Sequence, residues 1–222
     1  MRVRACGESA FIVDVASSCP AGSEVLDCVL DLTAQIDAAV DSGRVAGVVD
    51  VVPAAETLLV VCDPARVRNV VAFVSGLSPR AAAQAPATSS IKEIGVTYDG
   101  PDLHDVADSF GISVDAVVRW HQDQVWQVAF GGFAPGFFYL VGQGERREVA
   151  RRETPRPKIP AGSVGLAGRF SGVYPNASPG GWQLIGRTDA VLFDVDRTPP
   201  ALLAPGMGVR FVDSEGVSDG RG

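Results

Sequence analysis

Three glycine- and proline-rich segments carry the residues best suited to chemistry: Gly131-Gly-Phe-Ala-Pro-Gly-Phe-Phe-Tyr-Leu140, Pro160-Ala-Gly-Ser-Val-Gly-Leu-Ala-Gly168 and Tyr174-Pro-Asn-Ala-Ser-Pro-Gly-Gly-Trp-Gln-Leu-Ile-Gly-Arg187. Each interrupts β-prone sequence with residues that permit positive φ or close backbone approach, so each can aim N–H groups at an anion. In the first, Phe133, Pro135, Gly136 and Phe137 would wall a pocket; the alternative is a barrel corner packed on core aromatics. The second follows Arg151, Arg152, Arg156 and Lys158. Arg156 and Lys158, with the N–H groups around Gly162, would take a carboxylate or phosphate. The alternative is a solvated charged loop, because Glu145, Glu148 and Glu153 are interspersed. Ser163 is a candidate for oxyanion or phosphate contacts. In the third, Gly180 and Gly181 turn the chain into a strand whose neighbours Trp182 and Gln183 face opposite sides, and only one of them can enter a pocket. If it is Gln183, its amide would orient a ligand's amide group; if it is Trp182, that side is core. Arg187 closes the segment as a further ligand-binding candidate. His121 is the candidate for proton transfer, with a structural histidine at a helix end as the alternative.

Several chemistries are argued against by what the sequence lacks. Ala161-x-Ser163-x-Gly165 mimics a nucleophile elbow, but no histidine follows it, as a serine hydrolase of that kind requires. There is no G-x-x-x-x-G-K-[ST], no G-x-G-x-x-G after a strand and no H-E-x-x-H. Cys6, Cys19, Cys28 and Cys62 are irregularly spaced and lack clustered histidines, so they read as reduced small hydrophobes and no metal site is expected. A net charge of -7 opposes phosphate backbones and anionic lipid, which argues against general nucleic-acid and membrane-surface roles. No apolar run approaches a membrane span and the N-terminus does not read as a secretory signal, so the expected location is the cytoplasm.

Glycine divides the chain: five of 25 fall in residues 1–90 and twenty in residues 91–222. The expected organisation is an α+β domain over 1–80, a linker over 81–90 and a β domain over 91–222. In the first part, a strand at 9–15 precedes a helix at 24–41 with Val25, Leu26, Val29, Leu32, Ile36 and Val40 on one face, Ser23 as its cap and Gly43 as its stop. A hairpin of GVVDVV and TLLVVC follows, then a helix opened by Asp63-Pro64, with IGVTY as a possible further strand. This order predicts a ferredoxin-like sheet with helices on one face. In the second part, two short helices around Gly111 lead into strands at VWQVAF, SVGLA, GWQLIG, AVLFDV and GVRFV, the pattern of a barrel or sandwich.

The three segments, together with YDGPDL (98–103), the Val118-Arg-Trp-His121 helix, TPRPKIPAGSVGLAG, LFDV and the terminal PGMGVRFV, resemble the allophanate hydrolase subunit 1 family. CGESAFIVDV and VVDVVPAAETLLVVCDP extend the resemblance over nearly the whole chain. It implies a ferredoxin-like N-terminal domain and a C-terminal cyclophilin-like β-barrel. It also implies the role of the B-type component of an ATP-dependent 5-oxoprolinase, which with subunits A and C opens 5-oxoproline to L-glutamate using ATP with Mg2+ at a site shared with a partner. Two alternatives within the family are inhibition of a sensor histidine kinase and half of a biotin-dependent carboxyltransferase. The sequence departs from the family pattern at Gly131-Gly132, at Asn176-Ala177 and at Phe170-Ser171, where a Gln-Thr pair is usual.

Overall fold

Apolar residues three and four apart through Val25–Asp41 form a stripe, and in the computed structural model, which describes residues 1–79 and 91–214, Leu26, Val29, Leu32 and Ile36 of that stripe are buried. The chain divides into two units, Met1–Ala85 and Pro86–Gly222. The first holds strands β1 (Arg2–Ala5) and β2 (Ala10–Asp14), helix α1 (Val25–Asp41), strands β3 (Val48–Pro53) and β4 (Thr57–Cys62), and helix α2 (Val67–Ser75). Its antiparallel sheet runs β1-β2-β4-β3. Alternation in β2 and β4 buries Phe11, Val13, Leu58, Val60 and Cys62, which meet the α1 stripe. Gly43, at φ +71, ends α1 as its sequence position requires. Other details differ from expectation. Val40 is exposed and Ala39 takes the buried position, while Glu24 rather than Ser23 is the N-cap of α1. Pro64 lies in a turn before α2, where Asp63 Oδ1 accepts the Ala65 N–H at 2.9 Å. The IGVTY strand joins the other unit, and β1 takes the place beside β2. The expected linker, 81–90, lies outside the described residues.

The second unit contains β5 (Ile91–Val96), α3 (Leu103–Phe110), α4 (Val114–Asp123), β6 (Trp126–Gly131), β7 (Phe138–Gly142), β8 (Arg156–Ile159), β9 (Ser163–Ala167), β10 (Phe170–Val173), β11 (Ser178–Gly180), β12 (Gln183–Arg187) and β13 (Gly208–Asp213). Seven strands form one sheet in the order β12-β9-β10-β7-β6-β13-β5. A single bridge, Thr97 with Arg187, ties its two ends into a nearly closed barrel. Inside lie Trp126, Val128, Leu140, Val164, Ile185 and Phe211. Gly111, in the left-handed conformation, ends α3; Ser113 Oγ then caps α4 by accepting the Ala116 N–H at 3.2 Å. The expected strand AVLFDV is absent as such. Its segment makes only an isolated bridge from Phe193 to Ala201, and Val191 and Val195 are 59% and 80% exposed. A separate two-stranded ribbon of β8 and β11 sets Arg156 opposite Gly180. That ribbon and the end of β12 frame the site.

Candidate functional site

The turn between β6 and β7 depends on backbone that few residues adopt. Phe133 has φ +71, and Gly136 has φ +80 with the Phe193 Cβ where its own Cβ would go, 2.6 Å away. This turn delivers Phe137, almost fully buried, to the centre of an aromatic cluster. The rings of Phe133, Tyr139, Tyr174 and Trp182 each stand 5.3 Å from it, at 69–86°. Together with Gly180 and Gly181 these rings enclose a cavity of about 90 Å³, whose charged wall is Arg151. At Gly180 a Cβ would meet the Tyr174 hydroxyl at 2.5 Å and Ile159 Cδ1 at 2.8 Å, so only glycine lets Tyr174 occupy this position. The Trp182 backbone hydrogen bonds to Tyr174. Burial raises the Tyr174 pKa, with Arg151 and Arg156 pulling the other way, and the phenol remains a hydrogen-bond donor at neutral pH.

Beside the cavity, the turn leading into α3 is pressed onto β12. Gly100 and Asp102 donate their N–H groups to the Ile185 and Leu184 carbonyls at 3.2 and 3.0 Å, and any Cβ on Gly100 would run into the Ile185 backbone. This places Asp102, 1% exposed, among cations. Its Oδ1 accepts from Arg152 Nη1 at 2.8 Å and Arg156 Nη2 at 2.6 Å, while Oδ2 accepts the Leu184 N–H at 2.7 Å. Arg152 Nε, Arg156 Nη1 and Gln183 Oε1 are buried polar atoms without a hydrogen-bond partner. One buried carboxylate thus faces two guanidiniums, and the cluster retains positive charge that an anion would complement.

The sequence candidates fall into different places. Phe133, Phe137, Gly180 and Gly181 line the cavity, whereas Pro135 and Gly136 lie in the β6–β7 turn without lining it. Trp182, not Gln183, is the member of that pair that enters it. Gln183 lies in β12 with its Nε2 donating to the Ala150 carbonyl at 3.2 Å. Arg156 belongs to the charged cluster, whereas Lys158 is exposed on β8. Gly162, at φ +80, abuts the Thr188 backbone, and Ser163 is buried in β9 rather than in the cavity wall. Arg187 is exposed and paired with Asp99 at 2.8 Å. It borders a separate open groove of about 730 Å³ beside β5. His121 departs furthest from its expected role. It is 0% exposed, its ring nitrogens meet the Tyr98 hydroxyl at 2.8 Å and Ser171 Oγ at 2.9 Å, and its ring stacks on Phe211. Burial lowers its pKa to about 3, so it is a neutral core residue. Ser171 is therefore a partner of His121, and its neighbour Phe170 packs against Tyr139 at 5.4 Å. Three participants, Asp102, Arg152 and Tyr174, are not singled out by the sequence as site residues. Their only signal is membership of YDGPDL, the basic stretch and the YPN turn.

The nearly closed barrel is a carboxyltransferase-type fold. The urea amidolyase of Kluyveromyces lactis shares it at a TM-score of 0.70 over 96% of this chain and 15% of that one, at 19% identity. The chain belongs to the family described as carboxyltransferase domain, subdomain C and D, whose profile matches residues 1–203. Among curated relatives, the 5-oxoprolinase B subunit of Escherichia coli O157:H7 is 51% identical over 129 residues, 56% of this chain and 59% of that protein. The protein of the same name from Bacillus subtilis is 48% identical over 125 residues, 55% of this chain and 52% of that protein. The matched part thus spans little more than half the length of these relatives. The solved structure of TTHA0988 superposes with a TM-score of 0.72 at 33% identity, covering 97% of this chain and 41% of that one.

Proposed function

We propose that this chain is the B-type component of an ATP-dependent 5-oxoprolinase, which opens 5-oxoproline to L-glutamate together with A- and C-type subunits. The observation that carries this reading is the 44–51% identity to three proteins named as the B subunit of 5-oxoprolinase. The site is chemically suited to such a ligand: aromatic walls for a small ring, positive charge for its carboxylate, and a protonated phenol able to donate to the ring carbonyl. Donation to that oxygen favours water attack at the carbon, because negative charge grows on the oxygen as water adds and before the carbon–nitrogen bond breaks. In this reading the first unit is a ferredoxin-like domain whose edge strand comes from the N-terminus, and the second is a cyclophilin-like barrel joined to it by a linker over 81–90.

ATP with Mg2+ fits the cavity poorly. About 90 Å³ suits a small ring rather than a nucleotide. The nucleotide and its metal are accordingly assigned to a site completed by a partner. Among the described residues no helix is long and apolar enough to cross a membrane. The proposed setting is the cytoplasm, where ATP is available. The carboxyltransferase alternative draws on the family match and the fold, whereas the 5-oxoprolinase reading draws on the named relatives at 44–51% identity. Mixing the chain with its cognate A- and C-type subunits and following glutamate formation tests the reading: turnover requiring both ATP and this chain supports it, and turnover without this chain opposes it.

A further inference from the structure

The N-cap position of α3 is occupied by a residue that does not cap. Asp is favoured there because its carboxylate can accept N–H groups of its own helix, yet the Asp102 side chain makes no such bond. It is directed instead to residues 50, 54 and 82 positions away: Arg152, Arg156 and the Leu184 N–H. Both arginines converge on the same oxygen, so one negative charge is shared between two positive ones. Each guanidinium keeps a buried N–H without an acceptor, at Arg152 Nε and Arg156 Nη1. Buried donors are seldom left unpaired. Neither guanidinium lines the cavity, whose cation is Arg151, but both arginines adjoin its wall through the backbone: Arg156 stands opposite Gly180 in the β8–β11 ribbon, and Arg152 donates its backbone N–H to the Gly181 carbonyl at 2.8 Å.

We propose that Asp102 is a positioning residue that holds Arg152 and Arg156 as a paired receptor for the carboxylate of a small cyclic ligand seated in the aromatic cavity. The proposal rests on reading that cavity as the 5-oxoproline site. Asp102 does not touch the ligand; it fixes the planes of the two forks from behind. A carboxylate drawn in from the cavity side supplies the acceptor that the two remaining N–H groups lack, after a small displacement of the side chains that close over them. A neutral ring of the same shape would gain only the aromatic contacts.

Asp102→Asn tests this in the complete complex, because asparagine retains an oxygen for the Leu184 N–H while losing the charge that holds the arginines. The KM for 5-oxoproline should rise roughly tenfold or more, the scale of a lost charge-assisted hydrogen bond, with kcat changed much less. The inhibition constant of pyrrolidin-2-one, which lacks the carboxylate, should be unchanged. Asp102→Glu should recover part of the loss. Equal weakening of 5-oxoproline and pyrrolidin-2-one, or an unchanged KM in a folded variant, would overturn the role of Asp102 while leaving the site reading intact. A wild-type complex that neither turns over 5-oxoproline nor binds pyrrolidin-2-one would overturn the site reading and the proposal with it. Should Asp102→Asn fail to fold, Arg152→Gln is read by the same two constants: loss confined to 5-oxoproline supports the paired receptor, and equal loss of both opposes it.

Discussion

Neighbouring glycines in the cavity wall differ in what they tolerate, and the difference is set by one hydroxyl. Gly180→Ala would drive its Cβ against Tyr174 and Ile159, whereas Gly181→Ala meets nothing nearer than 3.7 Å. The first should lower stability by about 1–3 kcal/mol and displace Tyr174, while the second should stay within about 0.5 kcal/mol of wild type, read by denaturant midpoints. His121 makes a pH prediction. Burial holds its folded pKa at about 3 against an ordinary 6.5, so between those values the unfolded chain takes up a proton that the folded chain refuses. Its stabilising contribution is complete above pH 6.5 and is lost as pH falls toward 3, at roughly 1 kcal/mol per pH unit. His121→Gln should be less stable at neutral pH but flatter across that window in equilibrium unfolding. Gly43, Gly111, Gly136 and Gly162, all at positive φ, were legible in sequence because few other residues fit such turns. The role of Asp102 was not, since its partners lie 50 or more positions away and no local pattern announces them.

At the scale of elements, the site depends on how closely the turn before α3 approaches β12. Gly100→Ala places a methyl group inside the β12 backbone and must push that turn away, taking Asp102 with it. A loss of several kcal/mol in unfolding free energy is expected, against about 1 kcal/mol for Ser113→Ala, which removes the α4 cap and leaves the site in place. Periodicity found α1, the β3–β4 hairpin and most barrel strands because each buries one regular face. It misassigned AVLFDV, an apolar run whose backbone is held otherwise: Arg197 donates to the Val191, Leu192 and Pro200 carbonyls, and the Asp194 N–H donates to the Pro200 carbonyl. IGVTY was a correct strand given to the wrong sheet. Its partner, β13, lies more than a hundred residues on, and parallel pairing at that distance leaves no local trace.

For the whole molecule, the proposal is that the chain supplies part of a reaction and not all of it. In the proposed reading its aromatic cavity takes a small cyclic carboxylate and is too small for the nucleotide that would drive the ring open, while its family is shown by a match over residues 1–203. The most direct measurement is ATP-dependent glutamate formation from 5-oxoproline by the cognate A- and C-type subunits, assayed with this chain, without it, and with Arg156→Gln in its place. Turnover is expected with wild type, none above background without the chain, and a raised KM with Arg156→Gln. Equal turnover with and without the chain would contradict the assignment.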